Sequence, residues 1–229
     1  SLVAALLRMT EAMEGTIYID GVDISKIGLD DLRTKITVIP QEYHLFSGTI
    51  RSNIDPFNEY EDYEIWNALE RVQLKEKIES MPQKLSTIVS NDDSDLSVGA
   101  KQLFVLARCV LKKSKVIILD EATANVCLET DAAIQKTIRE EFADSTILMI
   151  AHRLDTIIDA DKVLLMDSGR IMEYETPYKL LQNPSSYFSY LVSETGSDTA
   201  NRLSRIAKKK FSLMEPLQRH DLNLVQRRE

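Results

Sequence analysis

Apolar residues recur along the chain at two spacings, every second position or every third and fourth. Thr16–Asp20 (TIYID) alternates apolar and polar side chains and runs into Gly21, the pattern of a half-buried strand followed by a turn. Leu29–Thr34 reads as a short helix, and Ile36–Ile39 as a buried strand stopped by Pro40. Asp62–Val72 carries Ile65, Ala68, Leu69 and Val72 at helical spacing. A long helix from Ser97 places Leu103, Leu106, Ala107, Val110 and Leu111 on one face. Val116–Leu119 is uniformly apolar and rich in β-branched residues, as a central parallel strand requires. Thr130–Phe142 reads as helix and Thr146–Ile150 as another buried strand. Lys162–Met166 with Arg170–Tyr174 forms a hairpin around Ser168-Gly169, and short helices near Tyr178–Leu181 and Tyr187–Val192 follow. Strands and helices alternate without any repeat, so the expected class is α/β with a mixed sheet.

Composition narrows this. With 229 residues, 44% of them hydrophobic, the chain can build one sizeable core. A formal net charge of −8 argues against nucleic acid as a partner. From Glu194 onward the balance reverses, with eight Lys/Arg against five Asp/Glu. That segment, including Lys208-Lys209-Lys210, reads first as a solvated tail and second as a basic patch facing anionic lipid. The two cysteines, Cys109 and Cys127, suit reduced thiols. No apolar run reaches the roughly 18 residues of a membrane span. The chain opens inside an apparent helix, SLVAALLR, without Met, and reads as a fragment.

Candidate chemistry gathers in four places. The strand ending in Asp120-Glu121 puts two carboxylates at the C-terminal edge of a sheet, where α/β proteins bind ligands. They form either a capping pair for the next helix or a site in which Asp120 holds Mg²⁺ through water and Glu121 polarises an attacking water. Ser97 opens the long helix, either as an ordinary N-cap or as part of a seat for a terminal phosphate. His152 follows the apolar run ILMIA, as a structural residue or a phosphate contact. Gln41 follows Ile39-Pro40, as a loop polar group or a ligand to metal or water.

The order of these pieces resembles the ATP-binding domain of ABC transporters over Ser1 to about Val192. Ile39-Pro40-Gln41-Glu42 resembles the Q-loop, Leu96–Gly99 (LSVG) the signature motif, Val116–Glu121 (VIILDE) Walker B, and His152 the switch histidine. Leu45–Arg51 (LFSGTIR), with Asn53 and Asp55-Pro56-Phe57, resembles exporters, above all subfamily C. There the second nucleotide-binding domain commonly pairs LSVG with an intact Walker B Glu.

The resemblance implies a P-loop NTPase-like ABC ATPase fold over residues 1–193, with a helical subdomain at about 43–113 and a polar, basic tail at 194–229. It implies ATP and Mg²⁺, with Asp120 and Gln41 at the metal, Glu121 as general base and His152 at the γ-phosphate. Ser97 and Gly99 would close on the nucleotide of a second such domain in a head-to-tail dimer. Membrane domains of the same transporter would be the other partner, at the cytoplasmic face of a membrane. Three departures stand out. No glycine is followed by Lys, so Walker A and the strands before it are missing, and the chain by itself is expected to bind ATP poorly. Ala100 replaces the usual Gln after the signature, and Cys127 replaces the usual D-loop Asp. These two open an alternative, a degenerate domain that stabilises or regulates a partner. Tyr43-His44 also replaces a usual small or apolar pair.

Overall fold

A computed structural model describes residues 2–41, 45–89, 96–120 and 128–225, with the backbone alone for 128–133 and 215–225. The chain divides into two compact units, Ser1–Ile150 and Ala151–Glu229.

The first unit begins with α1 (Leu2–Leu6) and a hairpin of β1 (Tyr18–Ile19) and β2 (Val22–Asp23). Asp20 and Gly21 both take positive φ at its turn, the twist that suits a two-residue hairpin. Helix α2 (Leu29–Lys35) carries Asp30 and Asp31 in its first turn and Arg33 and Lys35 in its last, each sign against the opposite end of the helix dipole. It runs straight into β3 (Ile36–Ile39).

Next come β4 (Gly48–Thr49), α3 (Ile50–Ile54), α4 (Asp62–Arg71), α5 (Lys75–Glu79) and β5 (Ile88–Val89), the last pairing antiparallel with β4. A reciprocal pair of bonds between Glu61 and Glu64 caps α4. The long helix α6 (Val98–Lys112) leads through Lys113, in the left-handed region, to β6 (Val116–Asp120). Helix α7 (Leu128–Glu141) and β7 (Thr146–Ile150) complete the unit.

Strands β3, β6 and β7 form a parallel sheet with β6 in the middle, Ile39 opposite Leu119 and Asp120 opposite Ile150. The antiparallel pairs lie in separate two-stranded sheets. Side chains of β6 alternate between two cores. Ile117 and Leu119 enter the cluster built from α3–α7, while Ile118 enters a smaller one with Ile24, Leu32 and Ile36. Both faces of the sheet are covered, which is why this strand is apolar throughout. The β7 strand, expected to be buried, is half-buried, with Thr146 exposed at its start. Helix α6 exceeds its expected stripe: Phe104, Val105 and Cys109 are buried as well, so it sits inside the core rather than on it.

The second unit comprises α8 (Leu154–Ile157), the hairpin β8 (Val163–Asp167) with β9 (Arg170–Glu175), α9 (Pro177–Gln182), α10 (Tyr187–Ser193) and α11 (Ser197–Val225). Ser168 and Gly169, both at positive φ, make the hairpin turn that the sequence predicts. From β9, Glu173 accepts hydrogen bonds from the N–H groups of Tyr187 (2.7 Å) and Phe188 (3.1 Å) and from the Ser186 hydroxyl (3.0 Å), seating α10 by its positive end. The basic C-terminal segment, expected to be solvated, forms α11, in which Leu203 and Ala207 are buried with Ile158, Leu180, Phe188 and Val192. Ala200, Leu203, Ile206 and Ala207 make a helical stripe that the neighbouring charges mask in the sequence.

Candidate functional site

Register fixes the first half of the site. Because β3 and β6 are adjacent and parallel with Ile39 opposite Leu119, Gln41 follows two residues beyond one strand and Asp120 ends the next. Both therefore lie at the C-terminal edge of the sheet, with Gln41 exposed and Asp120 half-buried. Three fully buried residues, Ile117, Ile118 and Leu119, hold Asp120 in place, worth about 2 kcal/mol each on burial. Its carboxylate makes no hydrogen bond or ion pair among the described residues. Glu121 lies outside the described residues, as do Cys127 and Tyr43-His44. His152 is exposed two residues beyond the end of β7, where the second unit begins.

The other half lies at the head of α6. Ser97 is the N-cap, its hydroxyl accepting from the Ala100 N–H at 3.2 Å, while its carbonyl takes the Lys101 N–H at 3.0 Å. The N–H groups of Val98 and Gly99 are left without an intrahelical partner, the positive end of a 15-residue helix. Gly99 and Ala100 are buried. Ser97 and Asp120 lie in the same unit.

Among the described residues no group of three or more His, Cys, Asp or Glu is placed to hold a metal ion. The uncompensated Asp120 carboxylate still fits Mg²⁺, which commonly takes one or two carboxylates and completes its shell with water and substrate phosphates. ATP and Mg²⁺ thus suit the residues present if the phosphates supply the remaining ligands.

Sequence reasoning missed the network that fastens the Phe46–Thr49 segment and α3 to α6. Asn53, 1% exposed, accepts from the Phe46 N–H (2.8 Å) and donates to the carbonyls of Phe46 (2.8 Å) and Thr49 (3.1 Å). Arg108 of α6 donates to the Asn53 carbonyl through Nε and to its Oδ1 at 3.3 Å, and lies 5.9 Å from the Phe46 ring. Burial lowers the Arg108 pKa from its ordinary value. Arg51 reaches Asp62 (2.8 Å), Asn58 (2.5 Å) and the Tyr60 carbonyl (2.9 Å), while Asp55 accepts from the N–H groups of Glu59 and Tyr60 at 3.0 Å each. The available signal was Arg108 itself, a lone cation within the apolar run of α6.

The model of the ABC transporter family matches residues 1–124, and the chain belongs to that family as an ATP-binding domain of subfamily C. It is 53% identical over 211 residues to ATP-binding cassette sub-family C member 4 of Mus musculus and to that of Homo sapiens. Each alignment covers 92% of this chain and 16% of the relative. ABC transporter C family member 12 of Dictyostelium discoideum is 48% identical over 212 residues. The chain thus spans about a sixth of the length of these relatives. A bacterial Atm1-family ABC exporter with ATP bound superposes with a TM-score of 0.77 at 30% identity, covering 86% of this chain and 34% of that one. Among the described residues no helix is long and apolar enough to cross a membrane.

Proposed function

We propose that this domain binds and hydrolyses MgATP together with a second domain of its kind, and that the full transporter uses hydrolysis to move a substrate across a membrane. Asp120 carries the reading: a half-buried carboxylate at the carboxyl end of the central strand, lacking any partner among the described residues. Such a group is costly until a cation compensates it. Asp120 would hold Mg²⁺, and Gln41, at the adjoining strand's exit, would share it and link it to the membrane domains. Glu121 takes the proton of the attacking water and His152 meets the γ-phosphate. The metal, when bound, neutralises charge developing on the phosphates. Ser97 and the free N–H groups of Val98 and Gly99 close on ATP held by the partner domain.

The domain works at the cytoplasmic face, head to tail with its partner. By itself the chain binds ATP weakly, since no Gly-Lys pair supplies the usual phosphate cradle. The test is Glu121→Gln in the reconstituted full transporter. Turnover falls about 100-fold or more, the usual contribution of a general base, and unchanged turnover refutes the assignment.

Ala100 favours a second reading, a degenerate domain that stabilises or regulates its partner. Its side chain is buried and apolar where the family usually offers a Gln donor. Ala100→Gln with Cys127→Asp raises turnover if the domain is catalytic and leaves it flat if the domain is degenerate.

A further inference from the structure

Helix α11 turns a charged face outward that nucleotide chemistry leaves unused. Leu203 and Ala207 set its inward side, and helical spacing brings Arg205, Lys208, Lys209 and Ser212 together on the other, all four exposed. Arg202 pairs with Asp155 at 2.5 Å and Lys210 with Asp161 at 3.0 Å. Lys208 and Lys209 have no carboxylate partner among the described residues. Ser212 therefore stands four and three residues from two unpaired ammonium groups and seven from Arg205.

The helix also lacks a rung at this turn. The Ser212 carbonyl would accept the N–H of residue 216, which is Pro216 and has none. The Ser212 hydroxyl already bonds back to the Lys208 carbonyl at 3.0 Å, competing with the ladder on its other side. A segment drawn out into an enzyme's cleft has one rung fewer to break here, against the Phe211–Tyr178 ring contact and the Lys210–Asp161 pair. Its sequence, Lys208-Lys209-Lys210-Phe211-Ser212-Leu213, sets three cations before a hydroxyl and an apolar residue after it, complementary to a cleft lined with carboxylates. Ser204 is exposed too, but only Arg202 precedes it closely and its carbonyl keeps the Lys208 N–H as a partner.

We propose that Ser212 is a phosphorylation site for a protein kinase that recognises basic segments. The Ser212 Oγ attacks the γ-phosphorus of the kinase's ATP, and the Oγ–P bond forms as the bond to the bridging oxygen breaks. ADP leaves with that electron pair, and the hydroxyl proton passes to the kinase's base. The phosphate brings about −2 of charge and three acceptor oxygens within one turn of Lys208 and Lys209, and helix geometry lets them pair. The exposed face drops from three cations to a net charge of about +1.

The test incubates the full chain with a purified basophilic kinase and γ-labelled ATP, then maps phosphate by fragmentation mass spectrometry. About one phosphate per chain is expected at Ser212, with incorporation falling at least about 10-fold in Ser212→Ala and unchanged in Ser204→Ala. Unchanged incorporation in Ser212→Ala, or a map that places the phosphate on Ser204, overturns the proposal. So does a chain that takes no phosphate but sediments with phosphatidylserine vesicles, which would assign the basic face to an anionic lipid surface.

Discussion

Replacing Asn53 with Ala removes one carboxamide from the joint between the segment after Gln41 and helix α6. Three hydrogen bonds disappear, at 2.8, 2.8 and 3.1 Å, together with the Oδ1 contact to Arg108. At about 1 kcal/mol net per bond, with part-buried groups of Phe46 and Thr49 left unmatched, the loss comes to about 3 kcal/mol. For a chain of this size that lowers Tm by about 6–12 °C. Trp66 is the single tryptophan and packs against the larger core, so its fluorescence in urea follows the unit that contains the joint. A double-mutant cycle with Arg108→Ala should give a coupling of about 0.5–1 kcal/mol, the low end for residues in contact. The reason is that the Arg108 Nε bond reaches the Asn53 backbone carbonyl, which Ala retains. A loss under about 1 kcal/mol, or a coupling of zero, would refute the claim that this network holds the segment.

Two further changes test other parts of the fold. Glu173→Ala strips the acceptor from three donors at the head of α10, costs about 2 kcal/mol, and accelerates amide exchange over 187–193 about 30-fold; unaltered exchange would contradict it. Complete burial pushes the Cys109 thiol from its ordinary 9.0 up to about 12. Folded and unfolded chains both keep that proton below pH 9. Between about pH 9 and 12 only the unfolded chain releases it, so this contribution to stability is lost as pH rises through that window. In a Cys127→Ser background, Cys109 should resist thiol reagents until the chain unfolds, and Cys109→Ala should flatten part of the alkaline loss of stability. Rapid labelling of the native chain would show the site to be open.

Strands whose signal is local were legible in the sequence. Ile36–Ile39 and Thr146–Ile150 were read with their observed limits, and Ser168-Gly169 announced its hairpin through turn chemistry. Helix α4 and the start of α6 followed from spacing and capping alone. The two-residue strands β4 and β5 were not readable, since each exists only through pairing with a partner some forty residues away. Helix α11 was missed because Lys208-Lys209-Lys210 dominates the composition, while Leu203 and Ala207 show their role only against α9 and α10. Within the site, the sequence placed Gln41 and Asp120 at one sheet edge and Ser97 as a cap. Arg108 stood out as a lone cation in an apolar run, but its grip on Asn53 spans 55 positions and no spacing rule encodes the partner.

Helix α6 has a mechanical consequence. Eleven of its fifteen residues are buried, Arg108 fastens it to Asn53, and Lys112 reaches the carbonyls of Arg33 (3.4 Å) and Ile36 (3.3 Å) at its far end. Turning it about its own axis would pull Phe104 and Leu106 out of a close-packed interior that yields little to strain. It therefore behaves as a stiff lever about 22 Å long. A push on Ser97 at its tip arrives at Asn53 as displacement rather than being absorbed along the way.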